Sequence, residues 1–91
     1  QTCALTILVF IDGDDKSQTK YAVSKYKELN EKAKIILIKG SPTALMIEHK
    51  NTIQFYFDQD GVLTHKLGIK HVPAIVNQED LRLKVIEVVL K

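Results

Sequence analysis

Gly68-Ile69-Lys70-His71-Val72-Pro73-Ala74-Ile75-Val76-Asn77-Gln78 decides how this chain is read. Pro73 stands immediately before an apolar run. Proline has no N–H for a ladder, so it must open a strand or lie on an edge. Glu79-Asp80 is all that separates this strand from the next apolar run, Leu81 to Leu90. So short a link predicts an antiparallel hairpin. Within the second run the apolar residues are odd-numbered at Leu81, Leu83 and Val85, then even-numbered at Ile86, Val88 and Leu90. Read as a strand with one buried face, that change of parity predicts a bulge near Val85-Ile86. The β-branched content favours strand over helix.

Working outward, the chain opens with Leu5-Thr6-Ile7-Leu8-Val9-Phe10-Ile11. Its apolar residues are nearly continuous, the pattern of a strand buried on both faces. Asp12-Gly13-Asp14-Asp15 follows as a loop. A helix is predicted from Lys16 to about Glu31, capped by Asp15 with Gln18 reaching back. Tyr21, Ala22, Tyr26, Leu29 and Ala33 form its inward stripe, opposite a lysine-rich face. Ile35-Ile36-Leu37-Ile38 is a second buried strand, so the first third is a βαβ unit. Gly40 ends it. Ser41-Pro42 then marks an N-cap and first helical position for a short helix, Thr43 to His49, with Leu45 and Met46 inside. Phe55-Tyr56-Phe57 is a short strand, Asp58-Gln59-Asp60-Gly61 a turn, and Val62 to Leu67 about two helical turns stopped by Gly68. The predicted order is β-α-β-α-β-α-β-β: an α/β domain with a mixed central sheet, a parallel βαβ unit first, a C-terminal antiparallel hairpin last, and helices on the faces.

Ninety-one residues allow one domain, residues 1–91. The 45% hydrophobic and 26% charged content is that of a folded globular chain. No apolar run approaches about 18 residues, so no membrane span is expected. Gln1 is not an initiator Met and no signal peptide is evident, so the chain reads as a mature or excised piece of a longer protein. The net charge of +2 is too weak for a nucleic-acid footprint. Residues 16–39 carry seven Lys against two Glu, but this face lacks Arg and interleaved aromatics, as nucleic-acid binding would want. A single cysteine, Cys3, excludes an internal disulfide, a Cys-x-x-Cys pair and a cysteine-based zinc site.

The acidic loop is the first place to seek chemistry. Asp12-Gly13-Asp14-Asp15-Lys16 has the two aspartates of a haloacid-dehalogenase-type motif but Lys at its fifth place. A receiver-like phosphoacceptor or metal-dependent phosphotransfer domain is the stronger enzyme rival, with Asp14, Asp15 and Asp58 as its acids. Only about 30 residues follow Asp58, however, and they hold Pro73 and a hairpin rather than two further βα units. Asp12 and Asp14 have the first spacing of an EF-hand, but Ser17 stands where its loop needs Gly. His49, His65 and His71 have no metal-ligand spacing. The plain alternative makes Asp15 an N-cap and Asp12 and Asp14 solvated loop. The other reading is a loop that binds a cation or a partner.

The element order, with Gly68-Ile69-x-x-Val72-Pro73-Ala74 before the hairpin, resembles a thioredoxin-like fold that lacks its last helix. The resemblance implies a cis Val72–Pro73 bond. Phe10-Ile11-Asp12-Gly13-Asp14-Asp15, Lys39-Gly40-Ser41-Pro42, and Tyr56-Phe57-Asp58-Gln59-Asp60-Gly61 leading into Gly68 to Ala74 are, taken in order, similar to the C-terminal region of the TraW family. Gln78 and Leu81-Arg82-Leu83 extend that similarity, which runs from about Leu5 to Val88. The family works in pilus assembly in F-type conjugative type IV secretion. The resemblance implies a periplasmic domain, other conjugative-transfer proteins as partners, and no enzymatic activity, small-molecule substrate or cofactor. Where redox thioredoxins carry Cys-x-x-Cys at a helix start, this chain has Asp14-Asp15-Lys16-Ser17. Thiol–disulfide exchange needs a thiolate there, so the expectation is a redox-inactive binding module. Its expected docking groove is Asp12, Asp14, Asp15 and Lys16 together with His71, Val72, Pro73 and Ala74. With no closing helix after the hairpin, one sheet face is expected to be thinly covered.

Overall fold

The structure is a computed structural model that describes residues 7–29, 32–79 and 82–90. Cys3, Leu5, Glu31, Asp80 and Leu81, which figure in the expectations above, lie outside the described residues.

The element order matches the sequence reading: β1 (Ile7–Asp12), α1 (Lys16–Glu28), β2 (Ala33–Lys39), α2 (Pro42–Glu48), β3 (Phe55–Phe57), a 3-10 turn (Gln59–Gly61), α3 (Val62–Leu67), β4 (Ala74–Glu79) and β5 (Arg82–Glu87). The five strands form one mixed sheet in the order β3-β2-β1-β4-β5. β1 pairs parallel with β2, and β2 parallel with β3. β4 runs antiparallel to both β1 and β5. Pro73 opens β4, an inner strand, as its missing N–H demands.

β1 sits at the centre. Val9, Phe10 and Ile11 have no solvent exposure, because successive side chains point to opposite faces and both faces are covered. On one face Val9 and Ile11 join Ile35, Leu37, Leu45 and Phe55, with Ala22, Val23 and Tyr26 of α1 and its C-cap Leu29 closing the layer. On the other, Phe10 joins Ile36, Ala74 and Val76, covered by Leu67, Ile69 and Val72. This second core is the smaller. Ile38 and Tyr56 lie on that face and stay well exposed at the sheet's margins, with Lys34 Nζ 5.5 Å from the Tyr56 ring.

Several details depart from expectation. α1 ends at Glu28, and Ala33, expected on its inward stripe, opens β2 instead. Tyr21 is only half-buried, and Thr19, one turn before Ala22, is buried in its place. The bulge at Val85-Ile86 is absent: β4 and β5 pair in one unbroken register from Ala74↔Glu87 to Glu79↔Arg82. The parity change needs no extra residue. β5 is an edge strand with apolar side chains on both faces, Val85 toward the α3 side and Ile86 toward the α1 side. Val88–Leu90 follow it without regular secondary structure.

The ends of β1 and β2 approach closely. Gly13 N–H donates to the Lys39 carbonyl at 2.8 Å. Gly40 adopts φ +98, and a Cβ there would lie 3.0 Å from Gly13 C and 3.2 Å from Asp14 N. Gly68, the C-cap of α3, has φ +70 with nothing within 4 Å of such a Cβ. Gly68→Ala therefore carries only the left-handed backbone cost, about 1–2 kcal/mol. Gly40→Ala adds crowding against backbone and is expected to cost roughly 1 kcal/mol more. Urea unfolding of the two variants checks the order; equal losses would show that the β1–β2 approach yields to the added Cβ.

Candidate functional site

The acidic loop is tied into the start of α1. Asp15 is the N-cap, its Oδ1 accepting from Ser17 N at 2.9 Å and Gln18 N at 3.4 Å. Gln18 Nε2 donates to Asp15 Oδ2 at 3.3 Å. Its Oε1 reaches past the cap to accept from Asp12 N at 2.8 Å. Asp12 Oδ1 in turn accepts from Asp14 N at 2.9 Å. The local pattern Asp-x-x-Gln thus caps the helix and also anchors the strand end that feeds it.

The second half of the site is the turn before β4. The Val72–Pro73 bond is cis, as the resemblance implied. Pro73 and Ala74 are buried, Val72 is half-buried against the second core, and His71 is exposed. Glu87 of β5 holds this turn from the side: its Oε2 accepts from Lys70 N at 2.9 Å and His71 N at 3.1 Å. The Lys70 N–H is the main reason its carboxyl lies below the ordinary value. Slight desolvation opposes it; the His71 N–H and the charges of both side chains add to it. Val88 N–H donates to the Pro73 carbonyl at 2.7 Å, carrying the β4–β5 pairing one step further.

Between these halves runs a cleft of about 560 Å³. Asp15, Ser17 and Gln18 form one wall, His71, Val72 and Pro73 the other, and Val88–Leu90 the end. The expected groove residues are not all gathered there. Asp14 and Lys16 line a separate cleft of about 460 Å³ between α1 and α2, with Ser41, Glu48 and His49. Asp15, the extended N-cap, turns its carboxylate onto the first N–H groups of α1, while Asp14 lies in the turn before it, so the two face different spaces. Asp12 is half-buried at the end of β1. Ala74 has no exposure and serves the second core.

The sequence reading missed one polar anchor, Asp58, and one buried polar atom, on His49. Asp58, read as a turn residue, is only 3% exposed. Its Oδ1 accepts from Leu63 N at 2.8 Å and its Oδ2 from Thr64 N at 2.9 Å, fastening α3 to the end of β3. Burial alone would raise its pKa, but the N–H groups of Leu63 and Thr64 and the Thr64 hydroxyl outweigh it and hold the carboxyl low. His49 ends α2 with its ring 5.7 Å from Phe55 and a buried Nε2 that has no hydrogen-bond partner among the described residues. Among the described residues no three His, Cys, Asp or Glu side chains converge as metal ligands, and no helix is long and apolar enough to cross a membrane.

Among the described residues the geometry defines an α/β domain with a mixed five-stranded sheet, three α-helices and a cleft at the Pro73 end. Comparison with known proteins adds the relationship. The chain is 40% identical over 70 residues to Protein TraW of Escherichia coli (strain K12), a match covering 77% of this chain and 32% of that protein. Across this region the chain is related to the TraW family. It spans about a third of the length of the curated relative it matches. No protein-family model matches the chain, and no solved structure matches it.

Asp58→Ala leaves two helix-start N–H groups without their acceptor and is expected to cost roughly 1–2 kcal/mol. With a lowered folded pKa, the Asp58 carboxylate contributes its stability in full above its ordinary 3.8 and loses it as pH falls through the lower folded value. The variant's acid-unfolding limb is therefore expected to be flatter than that of the parent, measured by circular dichroism across pH. Glu87→Gln should leave the fold intact but speed amide exchange at Lys70 and His71. In the parent, those two amide signals should shift together with the Glu87 titration, below its ordinary 4.5.

Proposed function

We propose that this domain docks other conjugative-transfer proteins, without catalysis, during assembly of a conjugative pilus by a type IV secretion system in the periplasm. The relationship to TraW supports the setting. The observation that carries the docking role is the cleft in which Asp15, Ser17 and Gln18 face His71, Val72 and Pro73. In this reading the domain is a thioredoxin-like arrangement used without thiols. The Pro73 turn lies beside the start of α1, and Asp14-Asp15-Lys16-Ser17 stands where a thiol pair would be. Apolar Val72, Pro73 and Val88 together with polar Ser17, Gln18 and His71 suit an extended segment, whose side chains meet the apolar groups while its polar groups meet the rest.

The phosphoacceptor alternative fares worse. Asp58 is buried and both its oxygens accept N–H groups at the start of α3, so a phosphoryl group there would have to displace the cap. Small-molecule, nucleic-acid and cofactor roles have no comparable support in the site.

The test uses full-length protein in donor cells. Ser17→Glu and His71→Ala alter exposed cleft positions. Each is expected to reduce transfer frequency about tenfold or more, equivalent to ~1.4 kcal/mol of docking energy, with the melting temperature unchanged. Normal transfer by stably folded variants would discard the cleft as the docking surface. Magnesium and beryllofluoride should leave the amide signals around Asp58 unmoved; a site-specific shift there would overturn the non-catalytic reading.

A further inference from the structure

β5 ends at Glu87, and Val88–Leu90 carry the chain from the sheet toward α1. Val88 N–H donates to the Pro73 carbonyl at 2.7 Å. Beyond it, Val89 and Leu90 make no backbone hydrogen bond among the described residues. Val89 is 83% exposed and adds little packing. Leu90, 36% exposed, stands beside α1. One hydrogen bond and one leucine fasten this strap, which puts it at the low end of the domain's local stability.

Leu90 stands between two hollows. One is the cleft of about 560 Å³ between Asp15, Ser17 and Gln18 and the Pro73 turn. The other, of about 340 Å³, runs along α1 past Ser17, Lys20, Tyr21 and Ser24. Ser17 and Leu90 line both. The spacing of Ser17, Tyr21 and Ser24 sets them in one stripe on the helix surface, about 10 Å long. With Leu90 in place, the cleft and the stripe are two spaces. With Leu90 lifted, they are one trough from the Pro73 turn along α1. An extended segment in the cleft would gain room for about three more residues.

The same geometry makes the exchange nearly balanced. Leu90 beside the half-buried Tyr21 keeps apolar surface from water. An apolar side chain of an incoming segment would cover that surface equally well. The segment can therefore take the place of Leu90, and its contacts with the cleft decide which occupant prevails.

We propose that Val88–Leu90 is a strap closing the end of the docking cleft, and that lifting Leu90 off α1 joins the cleft to the hollow along α1 when a partner segment enters. The proposal rests on the docking role given to the cleft and names what controls access to it.

Amide exchange of the 91-residue chain reads the strap without a partner. Ile86, paired with Ile75, is the reference within β5. The Val88 N–H, although bonded to Pro73, is expected to exchange about tenfold faster or more, because the strap opens while β5 stays paired. Leu90→Ala should quicken Val88 exchange severalfold and leave Ile86 unchanged. Equal rates at the two positions, or a Val88 rate indifferent to Leu90→Ala, overturn the proposal.

A staple tests the role of the opening. In a Cys3→Ser background, Leu90→Cys is combined with Lys20→Cys or with Ser24→Cys, residues that border the same hollow. At least one pair should form a disulfide under mild oxidation and slow Val88 exchange to the Ile86 rate. Closure of neither pair shows that Leu90 does not sit on α1 and overturns the proposal. In donor cells, full-length protein with the closed pair is expected to lower transfer frequency about tenfold or more against its single-cysteine controls. Normal transfer with the strap stapled, while Ser17→Glu is defective, overturns the strap and leaves the cleft standing. Normal transfer by stably folded Ser17→Glu removes the cleft, and the strap's role falls with it.

Discussion

The domain depends on one strand having no outside. Val9, Phe10 and Ile11 are wholly buried, and their alternating side chains supply two separate cores. Ile11 and Val9 face α1 and α2; Phe10 faces α3 and the turn before β4. At about 25 cal/mol per Å² of apolar surface removed from water, neither core can be given up in a domain this small. Every covering element has to meet β1 from one side or the other. The polar features of the site are arranged around that demand. β1 ends in Asp12, and Gln18 returns from α1 to hold the Asp12 N–H, fixing the point where the chain leaves the sheet.

Three carboxylates play the same structural part at three joints. Asp15 fastens the β1–α1 turn, Asp58 the β3–α3 turn, and Glu87 the strand-to-strand approach before Pro73. Each accepts backbone N–H groups that would otherwise lack protein partners at an element's end. The cleft exists because two of these joints, those of Asp15 and Glu87, lie near each other at the same end of the sheet.

Much of this was legible in the residues because the signals are local. Asp15-x-x-Gln18, Ser41-Pro42 and Gly68 mark helix ends within one turn of chain. The continuous apolar runs at Ile7 to Ile11 and Ile35 to Ile38 betray strands covered on both faces. What was not legible depends on contacts across the fold. The Glu87 contact spans 17 residues. Asp58 reaches its helix across a 3-10 turn, at a spacing no capping pattern describes. The parity change in β5 suggested a bulge only if one face is buried, and an edge strand bearing apolar groups on both sides breaks that premise. Asp14 and Asp15 are neighbours in sequence and line different clefts, which no linear motif conveys.

The placement of β1 also ties distant parts of the chain to one another. β1 is the first strand from the N-terminal end among the described residues, yet its antiparallel neighbour is β4, with Phe10 opposite Ala74. The residues up to Leu67 can pair β1 with β2 and cover one of its faces, but they leave its other edge without a partner. A strand rich in Leu, Val, Ile and Phe with an open edge is a template for mispairing. The second core, which Phe10 shares with Ala74 and Val76, cannot close without the hairpin, so a chain cut short before Pro73 would keep that edge bare.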